Sequence, residues 1–129
     1  MADPSRPRHV PSAELEPTAP VVTQAGGDVR LLRGAAFGLR TSVMVARIPP
    51  GVGPRPHRHP HAEIFVIHDG QARFEVEGET VEAQGGDIVI VPPEARHTFV
   101  NAGDTVLRHT AIHENPEPVT TFDDGSQLG

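Results

Sequence analysis

The stretch GVGPRPHRHPHAEIFVIHDG, residues 51–70, constrains the fold of this chain more than any other part. Pro56 and Pro60 lie inside it. Because proline fixes φ near −65° and disfavours helical backbone at the residue before it, the stretch cannot form a helix and favours extended backbone. In extended backbone every second side chain lies on the same face. The sequence therefore predicts a strand that carries a row of polar side chains on one face.

That row contains imidazoles and one carboxylate, namely His57, His59, His61 and Glu63. Inside a barrel they would be buried polar groups without partners, at a cost of about 1–3 kcal/mol each. A cation bound between them removes this cost. His97 follows on a later strand, which a closed barrel brings within reach, and offers a further ligand. The pattern favours a metal site in the interior.

The rest of the chain is typical of an all-β protein. From residue 21 onward, short apolar runs alternate with turn signals every eight to twelve residues, which indicates a sandwich or barrel. We interpret residues 1–20 as a flexible, proline-rich arm or an edge-lying extension, 21–115 as the barrel and 116–129 as a polar tail.

Three local expectations follow from the turn residues and apolar runs. Asp69-Gly70 is typical of a tight hairpin turn, and Gly78 is expected to make the next turn. The continuous apolar run 85–93 predicts a strand that is covered on both faces.

Composition excludes several function classes. The chain has no cysteine, which excludes disulfides and thiolate chemistry, and it has no lysine, tyrosine or tryptophan. The net charge of −6 disfavours nucleic-acid binding. No apolar run approaches the roughly 20 residues that span a bilayer, and the first residues lack the apolar core of a secretory signal. We therefore expect a cytoplasmic protein with no nucleic-acid or membrane partner.

Two motifs resemble those of the cupin superfamily. The first, G-x5-H-x-H-x3,4-E-x6-G, is matched by Gly51, His57, His59, Glu63 and Gly70. The second, G-x5-P-x-G-x2-H-x3-N, is matched by Gly86, Pro92, His97 and Asn101. Glu94 stands where the second motif has its second glycine, which puts the shape of that turn in question. Only one pair of motifs is present, as in a single-domain cupin.

The resemblance implies a double-stranded β-helix, the jelly-roll barrel of the cupins. In that fold His57, His59, Glu63 and His97 would bind one divalent first-row transition metal: Mn, Fe, Ni, Co, Cu or Zn. Four protein ligands on an octahedral ion leave two positions for a substrate. Glu63 would act both as a ligand and as the catalytic base.

Strand parity supplies candidate pocket residues. Phe65 and Phe99 lie two positions after metal ligands and should face inward, as should Met44, although core packing explains the two phenylalanines equally well. His109 could be an inward residue that assists proton transfer, or a paired or exposed histidine. For His61 we expect a position at the mouth or surface.

Two further positions complete these expectations. His68 is expected to be exposed. Asn101 is expected to be a strand-end residue rather than a catalyst.

The family resemblance leaves three functional hypotheses open. We favour a metal-dependent enzyme that acts on a small organic molecule, most plausibly a quercetinase-like dioxygenase. A redox-neutral isomerase or cyclase that uses a metal-stabilised enolate would employ the same residues, and a non-catalytic ligand-binding or sensing protein is the third. Because open strand edges invite pairing, we expect a homodimer with residues 21–35 as the exchange or edge region.

Overall fold

The computed structural model describes residues 3, 5–18 and 27–128. In this part of the chain we find β-strands joined by turns and two short 3-10 helices, Ser12–Glu14 and Gly34–Phe37, and no α-helix. The strands are β1 Glu16–Pro17, β2 Asp28–Leu32, β3 Ser42–Ile48, β4 His57–Arg58, β5 Glu63–Asp69, β6 Gln71–Val76, β7 Glu79–Gln84, β8 Ile88–Val91, β9 His97–Asn101, β10 Leu107–His113, β11 Thr120–Phe122 and β12 Gln127–Leu128. Across the described ranges, no helix has the length and apolar character needed to cross a membrane.

The strands form two antiparallel sheets, which confirms the predicted all-β jelly-roll fold. Sheet A has the order β1-β2-β3-β10-β5-β8, and sheet B has the order β12-β11-β4-β9-β6-β7. Strand alternation builds the core between them: on β6, Ala72 and Phe74 are buried while Arg73 and Glu75 are exposed. On β3 the buried side chains are Ser42, Ala46 and Ile48.

The turn at Asp69-Gly70 does not close a hairpin, so that prediction is wrong. Strand β5 pairs with β10 and β8 in sheet A, whereas β6 pairs with β7 and β9 in sheet B. Gly70 has a φ of 95° and directs the chain from one sheet to the other. An Asp-Gly pair encodes the sharp reversal but not the partner of the next strand. The turn at Gly78, by contrast, joins the paired strands β6 and β7.

The apolar run 85–93 is buried on only one face, which also contradicts the prediction. Val89 and Val91 face the core, but Ile88 and Ile90 are 62% and 67% exposed. Strand β8 lies at the edge of sheet A and pairs with β5 alone among the described strands. A continuous apolar run cannot distinguish a doubly covered strand from one whose outer face remains open.

Both terminal segments add strands to the barrel. Strand β1 of the predicted arm pairs with β2, so residues 28–32 lie inside sheet A and not at its edge. Residues 21–26 of the expected exchange region lie outside the described residues. The flexibility of the arm stays a prediction. Beyond the predicted boundary at 115, β11 pairs with β4 and places Phe122 opposite His57. Within residues 116–128 the strands β11 and β12 extend sheet B, so this part of the predicted tail is integrated into the barrel.

Candidate metal centre

The four predicted ligands converge at one end of the barrel interior. His57 on β4 is the register partner of His97 on β9, and their ring centroids are 4.3 Å apart. His59 lies just beyond β4, and Glu63 begins β5 in the opposite sheet. All four side chains are buried, and their ligand atoms lie within 4.8 Å of one another. The two sheets therefore bring together residues that are 40 positions apart in sequence.

The carboxylate of Glu63 faces this cluster through one oxygen. Its Oε1 lies 3.0 Å from Nε2 of His59 and 3.2 Å from Nε2 of His97. These distances are short enough for one ion to contact all three atoms. The arrangement brings a charged oxygen and two imidazole nitrogens to the same point.

Backbone carbonyls fix the orientation of the three imidazoles. Nδ1 of His57 lies 2.7 Å from the carbonyl oxygen of Arg55, and Nδ1 of His97 lies 2.9 Å from that of Ala95. Nδ1 of His59 lies 2.9 Å from the carbonyl oxygen of Val119 in the C-terminal segment. Because a carbonyl only accepts, each Nδ1 donates in these contacts, and Nε2 is the ring nitrogen left to contact Glu63 or a metal. This is the outer-shell pattern that holds histidine ligands on a metal.

The site fits a divalent transition metal on its own chemistry. Nε2 of His59 is buried and makes no hydrogen bond of good geometry among the described residues, although Oε1 of Glu63 lies 3.0 Å from it. Three imidazoles and one carboxylate are the donor set that suits borderline first-row ions. A cation at this point would give Nε2 of His59 a ligand bond and offset the cost of its burial.

The charges at the site also suit a cation. Burial, followed by the neighbouring His97, lowers the pKa of His57 to about 4, so this ring is neutral at pH 7. Burial alone would raise the pKa of Glu63, but His113, His59 and His97 together hold it well below its ordinary value. Burial also opposes protonation of His59, yet the Glu63 carboxylate holds the pKa of His59 above its ordinary value. A divalent cation would replace that proton beside an anionic carboxylate.

Two further histidines lie beside the site; the sequence analysis misplaced His61 and did not name His113. His113 on β10 places Nε2 3.2 Å from Oε2 of Glu63, and Nε2 of His61 lies 3.0 Å from Nδ1 of His113. His61 is only 7% exposed, so the expected mouth or surface position is wrong. Its ring stacks on that of His59, with 5.1 Å between the ring centroids. Strand parity had placed His61 on the ligand face and His113 on the face of His109, and that parity was the signal.

These two histidines form a second group that could hold a metal. The ligand atoms of His59, His61 and His113 also lie within 4.8 Å of one another. This group shares His59 with the first one and lacks a carboxylate. The first group, with four donors of which one is anionic, is the better site for a divalent cation.

A cavity of about 100 Å³ adjoins the metal centre. The predicted pocket residues Met44, Phe65, Phe99 and His109 line it, together with His57, His59 and Glu63. The sequence analysis missed other wall residues from β2 and the C-terminal segment, namely Val29, Pro118, Thr120 and Phe122. Their positions depend on long-range pairing that no local pattern encodes.

His109 lies deeper in the barrel than the metal centre. Its ring packs 5.4 Å from the ring of Phe65 and 5.2 Å from that of Phe99. Neither ring nitrogen has a hydrogen-bond partner in the part of the chain that the structure describes. Burial lowers the pKa of His109 to about 4. The residue is therefore a neutral, polar group in an apolar wall of the cavity.

The positions of His68 and Asn101 agree with the sequence analysis. His68 is exposed, and its Nε2 lies 2.8 Å from Oγ1 of Thr110. Asn101 ends β9, and its side-chain amide donates to the carbonyl oxygens of Ile48 and Thr105. It therefore ties a turn and does not face the metal centre's ligands.

Glu94 supports the loop that carries His97. Its φ is 66°, the left-handed region that glycine favours, so the residue adopts the turn of the motif without the motif's glycine. Its amide donates to the carbonyl oxygen of His59 at 2.7 Å and links the two ligand-bearing segments.

Comparisons with known proteins agree with this architecture. The chain is 34% identical over 117 residues to the polyketide synthase CurC of Streptomyces cyaneus, covering 88% of this chain and 73% of that protein. It is 43% identical to gentisate 1,2 dioxygenase 1 of Aquipseudomonas alcaligenes, but over 58 residues only, 44% of this chain and 17% of that protein.

Solved structures show the same fold. Oxalate decarboxylase OxdC of Bacillus subtilis superposes with a TM-score of 0.75 at 24% identity, over 88% of this chain and 31% of its own. The chain thus spans about a third of the length of that protein. The family model described as the cupin domain matches residues 44–113, which include all four candidate ligands. The chain belongs to the cupin family.

Proposed function

We propose that the protein is a metal-dependent enzyme that transfers a proton from a small enolic or phenolic substrate of the polyketide type. The observation that carries this proposal is the convergence of three imidazoles and one anionic carboxylate beside a cavity with largely apolar walls. When bound there, a divalent first-row metal supplies Lewis acidity to a substrate oxygen.

Some residues of the cavity would bind the substrate, and Glu63 would transfer the proton. Phe65 and Phe99 give the cavity apolar walls against which a planar ring or enol packs. Glu63 is deprotonated at neutral pH, so Oε1 can take a proton from a substrate hydroxyl or α-carbon. Phe122 and Pro118 line the cavity on its sheet B side, where they limit the entry of water.

The comparison with CurC supports a redox-neutral outcome, isomerisation or cyclisation. The match to that polyketide synthase extends over 88% of this chain, well beyond the ligand motifs. The cavity of about 100 Å³ accommodates one ring or the reacting end of a longer molecule that projects from the mouth.

Quercetinase-like dioxygenation is the second candidate. The match to gentisate 1,2 dioxygenase 1 is the observation that favours it, although that match covers less than half of this chain. The two reactions share their first step, the removal of a proton, and differ in whether dioxygen is consumed.

Product analysis with oxygen monitoring separates these outcomes. The metal-loaded protein would be incubated with a panel of phenolic and β-diketone compounds, with and without oxygen. Product formation in anaerobic buffer supports the redox-neutral reaction, and stoichiometric oxygen uptake supports the dioxygenase. Activity that survives in His97→Ala contradicts both. Tight ligand binding with no product favours a sensing role and contradicts an enzymatic one.

We also propose that the protein forms a homodimer through the outer face of sheet A. Ile88 and Ile90 are exposed there, and Ile64 and Val66, their register partners on β5, are only half-buried. Such an apolar row on an edge strand and its neighbour favours association. Light scattering after size exclusion should give a dimer that Ile90→Glu converts to monomer. The control Val81→Glu, on β7 of sheet B, should leave the dimer intact. A monomeric unsubstituted protein contradicts the proposal.

A further inference from the structure

The carboxylate of Glu63 has different surroundings at its two oxygens. Oε1 faces the metal centre, at 3.0 Å from Nε2 of His59 and 3.2 Å from Nε2 of His97. Oε2 faces away from those ligands, and Nε2 of His113 lies 3.2 Å from it. All of these groups are buried, so solvent does not provide alternative partners.

His61 lies beside His113 and contacts its ring. Nε2 of His61 lies 3.0 Å from Nδ1 of His113, on the side of the ring opposite to Glu63. The His61 ring is held by stacking on His59, at 5.1 Å with 18° between the planes. The ring of His113 stands edge-on to His59 at 4.9 Å. His113 is thus held on both sides of its ring, and its orientation is determined by contacts other than Glu63.

The donors and acceptors along Glu63, His113 and His61 can be assigned in one consistent direction. A carboxylate oxygen only accepts, so Nε2 of His113 carries the proton and its Nδ1 is an acceptor. His61 then donates from its own Nε2, and its Nδ1 is left as a bare nitrogen. That atom is buried and has no hydrogen-bond partner among the described residues. Nε2 of His113 has hydrogen-bond geometry toward Sδ of Met44, 3.1 Å away, and Oε2 of Glu63 lies beside it at 3.2 Å as a charge contact. Both neighbours are acceptors, so the proton on Nε2 is consistent with each of them.

We infer that His113 and His61 are positioning residues that hold Oε2 of Glu63, so that the carboxylate offers the metal Oε1 alone. This inference rests on the metal centre proposed above. With one carboxylate oxygen and three imidazoles, the protein supplies four donor atoms and leaves two positions of an octahedral ion for a chelating substrate. If Oε2 were released, the carboxylate could bind through both oxygens and occupy one of those positions. The pair would therefore keep the metal open to substrates that bind through two oxygens.

The test uses the full-length protein loaded with Co²⁺, whose visible absorption reports coordination number and ligand geometry. His113→Leu removes the N–H group that lies 3.2 Å from Oε2 and should weaken Co²⁺ binding by about 10–100-fold, the usual effect of an outer-shell residue. It should also change the shape and intensity of the Co²⁺ spectrum. His113→Gln, whose amide can donate near the position of Nε2, should restore the spectrum of the unsubstituted protein.

Two further variants separate positioning from folding. His61→Phe keeps an aromatic ring against His59 but removes the donor to His113, and it should change the spectrum in the same direction as His113→Leu by a smaller amount. His68→Leu replaces an exposed histidine and should leave both affinity and spectrum unchanged. Circular dichroism would verify that each variant is folded. If His113→Leu does not fold, the His61→Phe spectrum alone decides.

The outcomes distinguish this inference from the metal centre itself. If the unsubstituted protein binds no Co²⁺, the metal centre is wrong and the positioning role is wrong with it. If the unsubstituted protein binds Co²⁺ and folded His113→Leu or His61→Phe gives the same affinity and spectrum, the metal centre stands and the positioning role is wrong. A weaker affinity with an unchanged spectrum also contradicts the proposed change in carboxylate binding.

Discussion

The barrel interior has two regions that treat buried histidines differently. At the metal centre, His57, His59 and His97 each place Nδ1 against a backbone carbonyl, and their Nε2 atoms face one point. In the deeper region, among the phenylalanine rings, His109 has no partner for either nitrogen within the described ranges. The same type of side chain is thus oriented by the backbone in one region and isolated in the other.

The difference indicates two kinds of role. Histidines whose tautomer and orientation are fixed by the protein suit a ligand that must be bound with defined geometry, such as a metal. A neutral histidine in an apolar wall is costly to the fold, by about 1–3 kcal/mol for an unsatisfied buried polar group. Such a residue is most economically explained by contact with a polar group of a substrate in the adjoining cavity.

Replacing a direct ligand should produce the largest effect. His97→Ala is expected to weaken binding of a divalent metal by more than about 100-fold, since outer-shell changes alone cost 10–100-fold. Isothermal titration with Co²⁺ or Zn²⁺ would measure this loss. His109→Leu, in the deeper region, should bind the metal as tightly as the unsubstituted protein. Equal losses of metal affinity in the two variants would contradict the assignment of different roles to the two regions.

The free energy of unfolding should depend on pH through His109. The folded state holds the pKa of His109 at about 4, whereas the ordinary value is 6.5. Between these values the unfolded chain binds a proton that the folded protein does not, so the free energy of unfolding rises with pH across this window and falls as pH decreases through it. The slope from this one group is about 1.4 kcal/mol per pH unit. Denaturant unfolding from pH 7 to pH 4 should show a shallower dependence in His109→Leu.

At neutral pH the same variant should be more stable. Leucine has no polar atoms to leave unsatisfied, so His109→Leu is expected to raise the free energy of unfolding by about 1–2 kcal/mol. Chemical denaturation at pH 7 measures the gain, and turnover on any substrate of the panel should fall at the same time. If the variant is less stable, the ring nitrogens of His109 have a partner such as bound water. His109 is then not isolated, and it does not differ from the metal-centre histidines in lacking hydrogen bonds.

Strain at the loop of the metal centre should give the smallest effect. Glu94 has a φ of 66°, at which a non-glycine residue costs about 1 kcal/mol. Glu94→Gly should therefore raise the free energy of unfolding by up to about 1 kcal/mol, offset in part by the greater freedom of glycine in the unfolded chain. Glu79→Gly, in strand β7, serves as the control and should destabilise. Metal affinity should be unchanged in both variants.

The metal centre was predictable because its information is local. The motif spacing identifies His57, His59, Glu63 and His97. The single extended strand predicted for residues 57–63 is wrong, because β4 ends at Arg58 and Glu63 begins β5 in the opposite sheet. The two-residue period of a strand gave the correct inward face of β3, with Ala46 and Ile48 in the core.

Errors arose wherever strand pairing decides the outcome. The Asp69-Gly70 turn passes between sheets, and Ile88 and Ile90 are exposed because β8 has a partner on one side only. Phe122 lines the cavity because β11 pairs with β4, where its register partner is His57, 65 residues earlier in the chain. His61 is buried through contacts with His113 on a strand that is distant in sequence. Turn chemistry and periodicity specify faces and reversals, but they do not specify neighbours.

The most direct measurement is an anomalous-scattering map of crystals of the metal-loaded protein, recorded at the absorption edge of the bound metal. We predict a single strong peak at about 2.0–2.2 Å from Nε2 of His57, His59 and His97 and from Oε1 of Glu63. Crystals with no peak inside the barrel, or with the peak on His61 and His113 instead, would contradict the claim that these four side chains form the metal centre.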